Sequence, residues 1–246
     1  MRTELHFHLL PAVDDGPEDD AEAVELARLA VADGTGRVIV TPHAHCVDFA
    51  ELRPRTAELG ARLAQAGVQL ELGVGAELSP DHVPGLSQAA LKSVAQGPSG
   101  RRWLLLEAPL FANVGSLAGA AAELRERGFG ILVGHPERSP TTSMLEIREQ
   151  VQWGAVLQVN ASSLTRSHGD EVRRTGLRIA RSGLPFVVAS DAHSPDRPPL
   201  LTKAAAELAA SGIADAVIRE AIDDAPERLL VEGLPAVAAA RRAARR

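Results

Sequence analysis

Cysteine occurs once in the 246-residue sequence, at Cys46, and lysine only twice, at Lys92 and Lys203. A single cysteine excludes an intramolecular disulfide and suits a reducing compartment. A cytoplasmic protein is therefore expected. Excess positive charge is also missing. The formal net charge is -6, and arginines crowd together only in the last residues. A nucleic-acid partner, which would call for a basic face, is not expected. No stretch reaches the ~18 apolar residues of a membrane helix, and residues 1–10 hold two histidines and no apolar run of signal-peptide length. Membrane insertion is not expected either.

What is present is a large apolar fraction, 45% of residues, arranged in short runs. These fall at residues 5–7, 37–41, 68–76, 103–106, 130–133, 155–159 and 185–189. Amphipathic stretches separate them, at 20–32, 51–66, 116–127, 144–152 and 171–181. Several close on a glycine, at Gly34, Gly67, Gly128, Gly154 and Gly183, the usual helix stop. Strands alternating with helices imply parallel β-α units. Seven strands fit a closed or nearly closed α/β barrel better than a short open sheet. One domain over residues 1–246 is expected, with a short Ala/Arg-rich helix from about residue 234. An assembly contact by that tail, and hence a homo-oligomer, is the alternative to a solvated helix end.

The chemistry-bearing residues stand at the ends of the apolar runs. His6 and His8 close the first, with Asp14 and Asp15 shortly after. His43 follows the second, Glu77 the third and Glu107 the fourth. The fifth leads into His135-Pro136-Glu137-Arg138, the sixth ends at Asn160, and the seventh leads into Asp191 and His193. In a parallel barrel these ends meet on one face, where active sites sit. His6 and His8, two apart on a strand, can grip one ion together. Imidazoles with carboxylates suit zinc, manganese or iron. The nine candidates are His6, His8, Asp15, His43, Glu77, Glu107, His135, Asp191 and His193. One tetrahedral ion takes about four ligands, so two or three ions with a bridging carboxylate are expected. Metals about 3.5–4 Å apart can clamp both oxygens of a phosphoryl transfer. Arg138 and Arg197 follow these ligands and could hold phosphate oxygens bidentately.

A lone histidine at a strand end is more often an ordinary polar residue than a ligand. Nine such residues at matching positions are not scatter. Asp14 reads as a turn or cap residue before Gly16, and Asp15 as the ligand. His45, His82 and His168 have no supporting context and receive no role. Cys46 and Arg53 approach the spacing of a cysteine-phosphatase loop, but six residues separate them instead of five. The intervening segment has no glycine and two acids, unlike a phosphate cradle.

The opening His6-x-His8-Leu-Leu-Pro-x-x-Asp14-Asp15-Gly16-Pro17 resembles that of bacterial tyrosine phosphatases regulating capsule and exopolysaccharide synthesis (CpsB type). These belong to the polymerase and histidinol phosphatase (PHP) superfamily. The likeness continues through Thr41-Pro42-His43, Gly75-Ala76-Glu77-Leu78, Leu106-Glu107, His135-Pro136-Glu137-Arg138, Gln158-Val159-Asn160, Ser190-Asp191-Ala192-His193 and Arg197-Pro198-Pro199. Pro226-Glu227-Arg228 looks like the family's terminal turn. The resemblance implies a distorted seven-stranded barrel of the PHP type with three divalent ions, usually manganese. It assigns His6, His8, Glu77 and Asp191 to one ion. Bridging Glu77, with Glu107 and His135, takes the second, and Asp15, His43 and His193 the third. Glu4 stands where the family usually has Asp, and Ala12 where Gly is frequent. Segments 44–50 and 109–114 match no family pattern.

The resemblance implies a protein-tyrosine phosphatase acting on the tyrosine-rich tail of a bacterial kinase for exopolysaccharide synthesis. The chain contains no tyrosine, so the phosphorylated partner is another protein. The alternative is a small-molecule phosphatase, such as one for histidinol phosphate. A paired-metal amidohydrolase would often use a carbamylated lysine at a mid-barrel strand end, and neither Lys92 nor Lys203 occupies one.

Overall fold

The computed structural model describes residues 1–111 and 115–237. Among the described residues there are eight strands: β1 (Arg2–Phe7), β2 (Thr35–Val40), β3 (Glu71–Val74), β4 (Glu77–Leu78), β5 (Trp103–Glu107), β6 (Gly130–Gly134), β7 (Val156–Asn160) and β8 (Phe186–Ala189). Ten α-helices accompany them: α1 (Asp20–Ala32), α2 (Phe49–Gln65), α3 (Gln88–Val94), α4 (Leu117–Glu126), α5 (Met144–Gln152), α6 (Ala161–Leu164), α7 (Gly169–Arg181), α8 (Leu201–Ala210), α9 (Asp215–Arg219) and α10 (Ala225–Glu232). Their ends follow local chemistry. Asp19, Asp48, Ser87, Ser116 and Ser143 each accept a bond from a first-turn N–H. The five stop glycines all have positive φ, between 70° and 95°.

All strand pairs are parallel, but regular pairing makes two sheets, β1-β2-β3 and β4-β5-β6-β7-β8. The expected ring of seven strands is thus corrected in number and in regular closure. The run expected as one strand at 68–76 divides: β3 pairs with β2, whereas β4, just beyond it, pairs with β5. The hinge is Gly75, where a Cβ would lie 2.8 Å from Ile39 Cγ2. At the two seams the sheets touch through single parallel bridges, Phe7 with Ala192 and His43 with Glu77. Both seams lie at the C-terminal tips of the strands, beside the residues singled out above.

Two apolar bodies hold this frame. The larger lies between the strands and the surrounding helices and includes Phe7, Leu26, Val38, Leu59, Leu106, Val133, Leu157 and Leu208. The smaller gathers Leu5, Ile39, Trp103, Leu105, Leu132 and Val187 from both sheets, with Ala225 and Leu229 of α10 and Leu234. Trp103 Nε1 donates to the Leu229 carbonyl at 2.8 Å, tying α10 under the strands. A register shift in β1 between Glu4 and Phe7 lets Leu5 join this lower cluster while His6 and His8 both face the centre above it.

Two further expectations change. Pro226-Glu227-Arg228 lies in the first turn of α10 and is not a terminal turn. Residues 233–237 carry no helix, and the rest of the expected tail helix lies outside the described residues. Residues 112–114 of segment 109–114 also lie outside them. Among the described residues, no helix is long and apolar enough to cross a membrane.

Candidate metal centre

The strand tips bring eight of the nine candidates into three overlapping groups. One is His8, Asp15, His43 and His193; another is His6, Glu77 and His135; the third is His6, His8 and Asp191. Within each group the ligand-type atoms lie within 4.8 Å of one another. Glu107 stands apart, with Oε1 4.0 Å from His135 Nε2. His8, which the resemblance places with His6, Glu77 and Asp191, also joins Asp15, His43 and His193.

The contacts show how tightly the atoms converge. His6 Nε2 lies 3.3 Å from His8 Nε2, 3.1 Å from Asp191 Oδ1 and 3.4 Å from Glu77 Oε1. Glu77 reaches two sides at once. Its Oε1 is 2.9 Å from His135 Nε2, and its Oε2 is 2.9 Å from His43 Nδ1. Asp15 Oδ1 is 3.3 Å from His43 Nε2 and 3.2 Å from His193 Nε2. The inner groups are buried, while the Asp15 side chain is 55% exposed, so the centre opens on the Asp15 side.

Several residues that the sequence reading gave no part at the metals orient these groups. Asp14 Oδ2 lies 2.7 Å from His8 Nδ1, a contact that leaves His8 Nε2 facing the centre. Asp14 also accepts from the N–H groups of Gly16 and His43, so its expected turn role is joined by a second one. Gln158 Oε1 sits 3.0 Å from His6 Nδ1 and accepts from the His135 N–H. Gln158 then donates to Asn160, and Asn160 donates to Asp191 Oδ2 at 2.7 Å. The period-two spacing of Gln158 and Asn160 at a strand end was the available signal. His135 and Asp191 have φ of 29° and 53°, values rare for non-glycine residues and concentrated at functional sites.

The charges are strongly coupled. Burial favours the neutral Glu77 carboxyl, but His6, His135 and His43 outweigh it and hold the group well below the usual range. Asp191 behaves likewise, with His6 the leading opposing charge. Bonds to His193 and His43 hold Asp15 below the usual carboxylate range. Burial opposes the charged form of His43, yet bonds to Asp15 and Glu77 raise it to about 10. Glu107 is pushed up to about 7 by burial and by the Glu77 charge. Anionic carboxylates therefore face imidazoles whose nitrogens point at one another. His135 Nδ1 is buried without a hydrogen-bond partner, as is uncommon for a polar atom. Two facing imidazole nitrogens, an orphaned one and four carboxylates form a donor set that fits divalent cations.

The two arginines meet this centre. Arg138 Nη1 donates to Asp191 Oδ2 and Arg197 Nη1 to Asp15 Oδ2, both at 2.9 Å. The Arg138 loop is anchored by Glu137, which is buried and accepts from the Asn160 N–H. His168 bonds Ser162 and shares a small cavity with Asp191 and Arg197. Burial and the Arg138 charge lower its pKa to about 4, which makes it a neutral neighbour. A cavity of about 620 Å³ at the opposite end, between Phe186, Ile213 and Leu229, contains none of the candidates.

The chain is similar to several known proteins. Tyrosine-protein phosphatase YwqE of Bacillus subtilis (strain 168) is 31% identical over 204 residues, 78% of this chain and 77% of that protein. A putative tyrosine-protein phosphatase, CapC of Staphylococcus aureus, is 27% identical over 208 residues, 81% of this chain and 80% of that protein. A solved structure from work on YwqE and Streptococcus pneumoniae CpsB, described as unique metal-dependent tyrosine phosphatases, superposes with a TM-score of 0.78 at 26% identity. It covers 96% of this chain and 98% of its own. The Escherichia coli phosphotriesterase homology protein shares the fold, with a TM-score of 0.64 at 15% identity over 92% of this chain and 97% of that one. The family model for capsular polysaccharide synthesis, CpsB/CapC, matches residues 2–231, and the chain belongs to that family.

Proposed function

We propose that this protein is a metal-dependent protein-tyrosine phosphatase built as one PHP domain over residues 1–246. The observation that carries the reading is the convergence of eight ligand-type residues, with Arg138 and Arg197 bonded to their rim. In this reading the two sheets act as a distorted barrel, supported by one apolar cluster drawn from both and by bridges at both seams. His6, His8, Glu77 and Asp191 hold one ion. Glu77, Glu107 and His135 hold a second, and Asp15, His43 and His193 a third, with His8 beside them. The donor set suits manganese, and also iron or zinc.

When bound, the metals polarise phosphoryl oxygens and make water a stronger nucleophile. The chain's own residues do the rest. Arg138 and Arg197 fork onto phosphoryl oxygens and stabilise the charge that grows there. Asp14 keeps the proton on His8 Nδ1, and Gln158 orients His6. A phenolate leaving group, with a pKa near ~10, departs with less proton assistance than an alkoxide. The substrate is a phosphotyrosine protein, with the tail of a cytoplasmic bacterial kinase for exopolysaccharide synthesis as the partner. The relatives' names support a phosphotyrosine substrate, and with no tyrosine in this chain the phosphotyrosine belongs to another protein.

The test is a comparison of initial rates, with manganese-loaded protein, on a phosphotyrosine peptide and on histidinol phosphate. A clear preference for the peptide is expected. A preference for histidinol phosphate would keep the centre and overturn the substrate.

A further inference from the structure

A row of imidazoles leaves the buried centre and reaches the surface. The His193 and His8 rings stack at 3.8 Å, and His8 lies 4.8 Å from His43. His43 lies 5.5 Å from His45, and His45 stacks on His82 at 5.0 Å with an interplanar angle of 13°. The first three belong to the candidate centre. His45 and His82 do not, and neither belongs to any of the groups able to hold an ion. Both are exposed. They come from separate segments. His45 lies on the turn Ala44–Cys46 after β2, and His82 follows β4. His82 is fixed by its N–H bond to the Ser79 carbonyl and by Asp81, 3.5 Å from its Nδ1. Two exposed rings held face to face beside an open centre form a flat, polarisable wall.

The composition makes that wall conspicuous. A phenyl ring joined to phosphorus through one oxygen must rest beside the metals, and aromatic groups stack on aromatic side chains, histidine included. The chain has no tyrosine, five phenylalanines and two tryptophans. Phe7, Trp103, Phe129 and Phe186 are buried, Phe49 packs on the core, and Trp153 ends α5 at the far side. Only Phe111, in the loop after β5, stands as an exposed aromatic residue toward the ligand end. Among the described residues it forms no ring pair of the kind that joins His45 to His43 and His82.

We propose that the stacked His45–His82 pair is the wall on which the phenyl ring of phosphotyrosine rests, and so a specificity determinant for aryl over alkyl phosphates. This rests on the tyrosine-phosphatase reading above. The pair touches the organic half of the substrate and leaves the phosphoryl group to the centre.

The experiment is calorimetry on manganese-loaded protein with two probes, a peptide carrying non-hydrolysable phosphonomethyl-phenylalanine and inorganic phosphate, with metal content measured in parallel. His45→Ala and His82→Ala should each weaken the peptide about 3- to 10-fold, as expected for losing one aromatic contact. Phosphate affinity and metal content should stay as in the parent, and His82→Phe should keep the peptide affinity. Equal weakening of both probes, loss of a metal equivalent, or an effect confined to Phe111→Ala would overturn the wall. Parent protein that binds phosphate but not the peptide would instead remove the tyrosine-phosphatase reading itself.

Discussion

At the C-terminal tips of the strands, His6, His8, Glu77, His135, Asp191 and His193 are all less than 7% exposed. Lower on the same strands, Leu5, Trp103, Leu132 and Val187 are buried equally deeply, against Leu229 of α10. The two regions reach the same burial with opposite materials. Burying apolar area stabilises by about 25 cal/mol per Å² and needs no partner. Burying ionisable groups costs energy unless each is matched by charge or hydrogen bonds. The lower cluster therefore supplies stability, and the upper one gathers ionisable groups into a candidate cation site.

The largest effects should come from the upper region and fall on function. His6→Ala removes a residue shared by two of the three groups, and should lower metal content and activity together, the latter by orders of magnitude. Arg138→Ala should cut turnover about 10²- to 10³-fold, the usual cost of losing one preorganised donor, with metal content intact. Elemental analysis beside initial rates separates the two. Metal content untouched by His6→Ala would mean that the centre is drawn wrongly.

In the lower region the expected loss is in stability alone. Trp103→Ala empties a fully buried site and breaks the bond to Leu229, at a cost of about 3–5 kcal/mol. Urea unfolding would measure it, and metal content per folded molecule should not change. A variant that kept its stability but lost metal would erase the division between the regions.

The same division explains what could be read from the sequence. Candidate ligands were legible because each follows an apolar run, and a parallel topology sends all such positions to one end. The lower cluster was less legible, since Leu5 joins it only through the register shift in β1. The split of residues 71–78 between two sheets depends on the approach of Gly75 to Ile39, a tertiary contact with no local signature. Asp14 looked like a turn residue and is one, but its bond to His8 depends on where a neighbouring strand residue points. Glu107 met the strand-end rule yet stands 4.0 Å from its nearest histidine partner, because that rule fixes a strand end and not a side-chain reach.

Glu4 lies at the junction, two residues before His6 and bonded to the Ser190 N–H just ahead of Asp191. It is fully buried, and burial raises its pKa from 4.5 to about 8. The folded protein thus keeps a proton that the unfolded chain releases near pH 4.5. Stability from this group is greatest below pH 4.5, falls as pH rises toward 8, and levels off above it. At about 1.4 kcal/mol per pH unit, the loss approaches ~3 kcal/mol by pH 7. Urea midpoints of metal-free protein between pH 5 and 8 should fall more steeply for the parent than for Glu4→Gln. Parallel slopes would show that Glu4 is ionised when folded.

The smallest effect should come from the charges that tie α10 to the strands. Glu227 accepts two bonds from Arg37 Nη1, at 3.0 and 2.9 Å, and one from Thr3 Oγ1. Its side chain is 47% exposed, so water competes for every contact. Glu227→Gln keeps an acceptor oxygen and removes the charge, and should cost less than about 1 kcal/mol, less again in high salt. Leu229→Ala, two residues along the same helix, should cost about 2–5 kcal/mol, because it opens a cavity against Trp103. Paired urea titrations at low and high salt would compare them directly. If Glu227→Gln cost as much as Leu229→Ala, ion pairs would hold the lower end as well, and the contrast in materials would stop at the centre. If the two differ as expected, charge in this fold matters where water is excluded and counts for little where it is not.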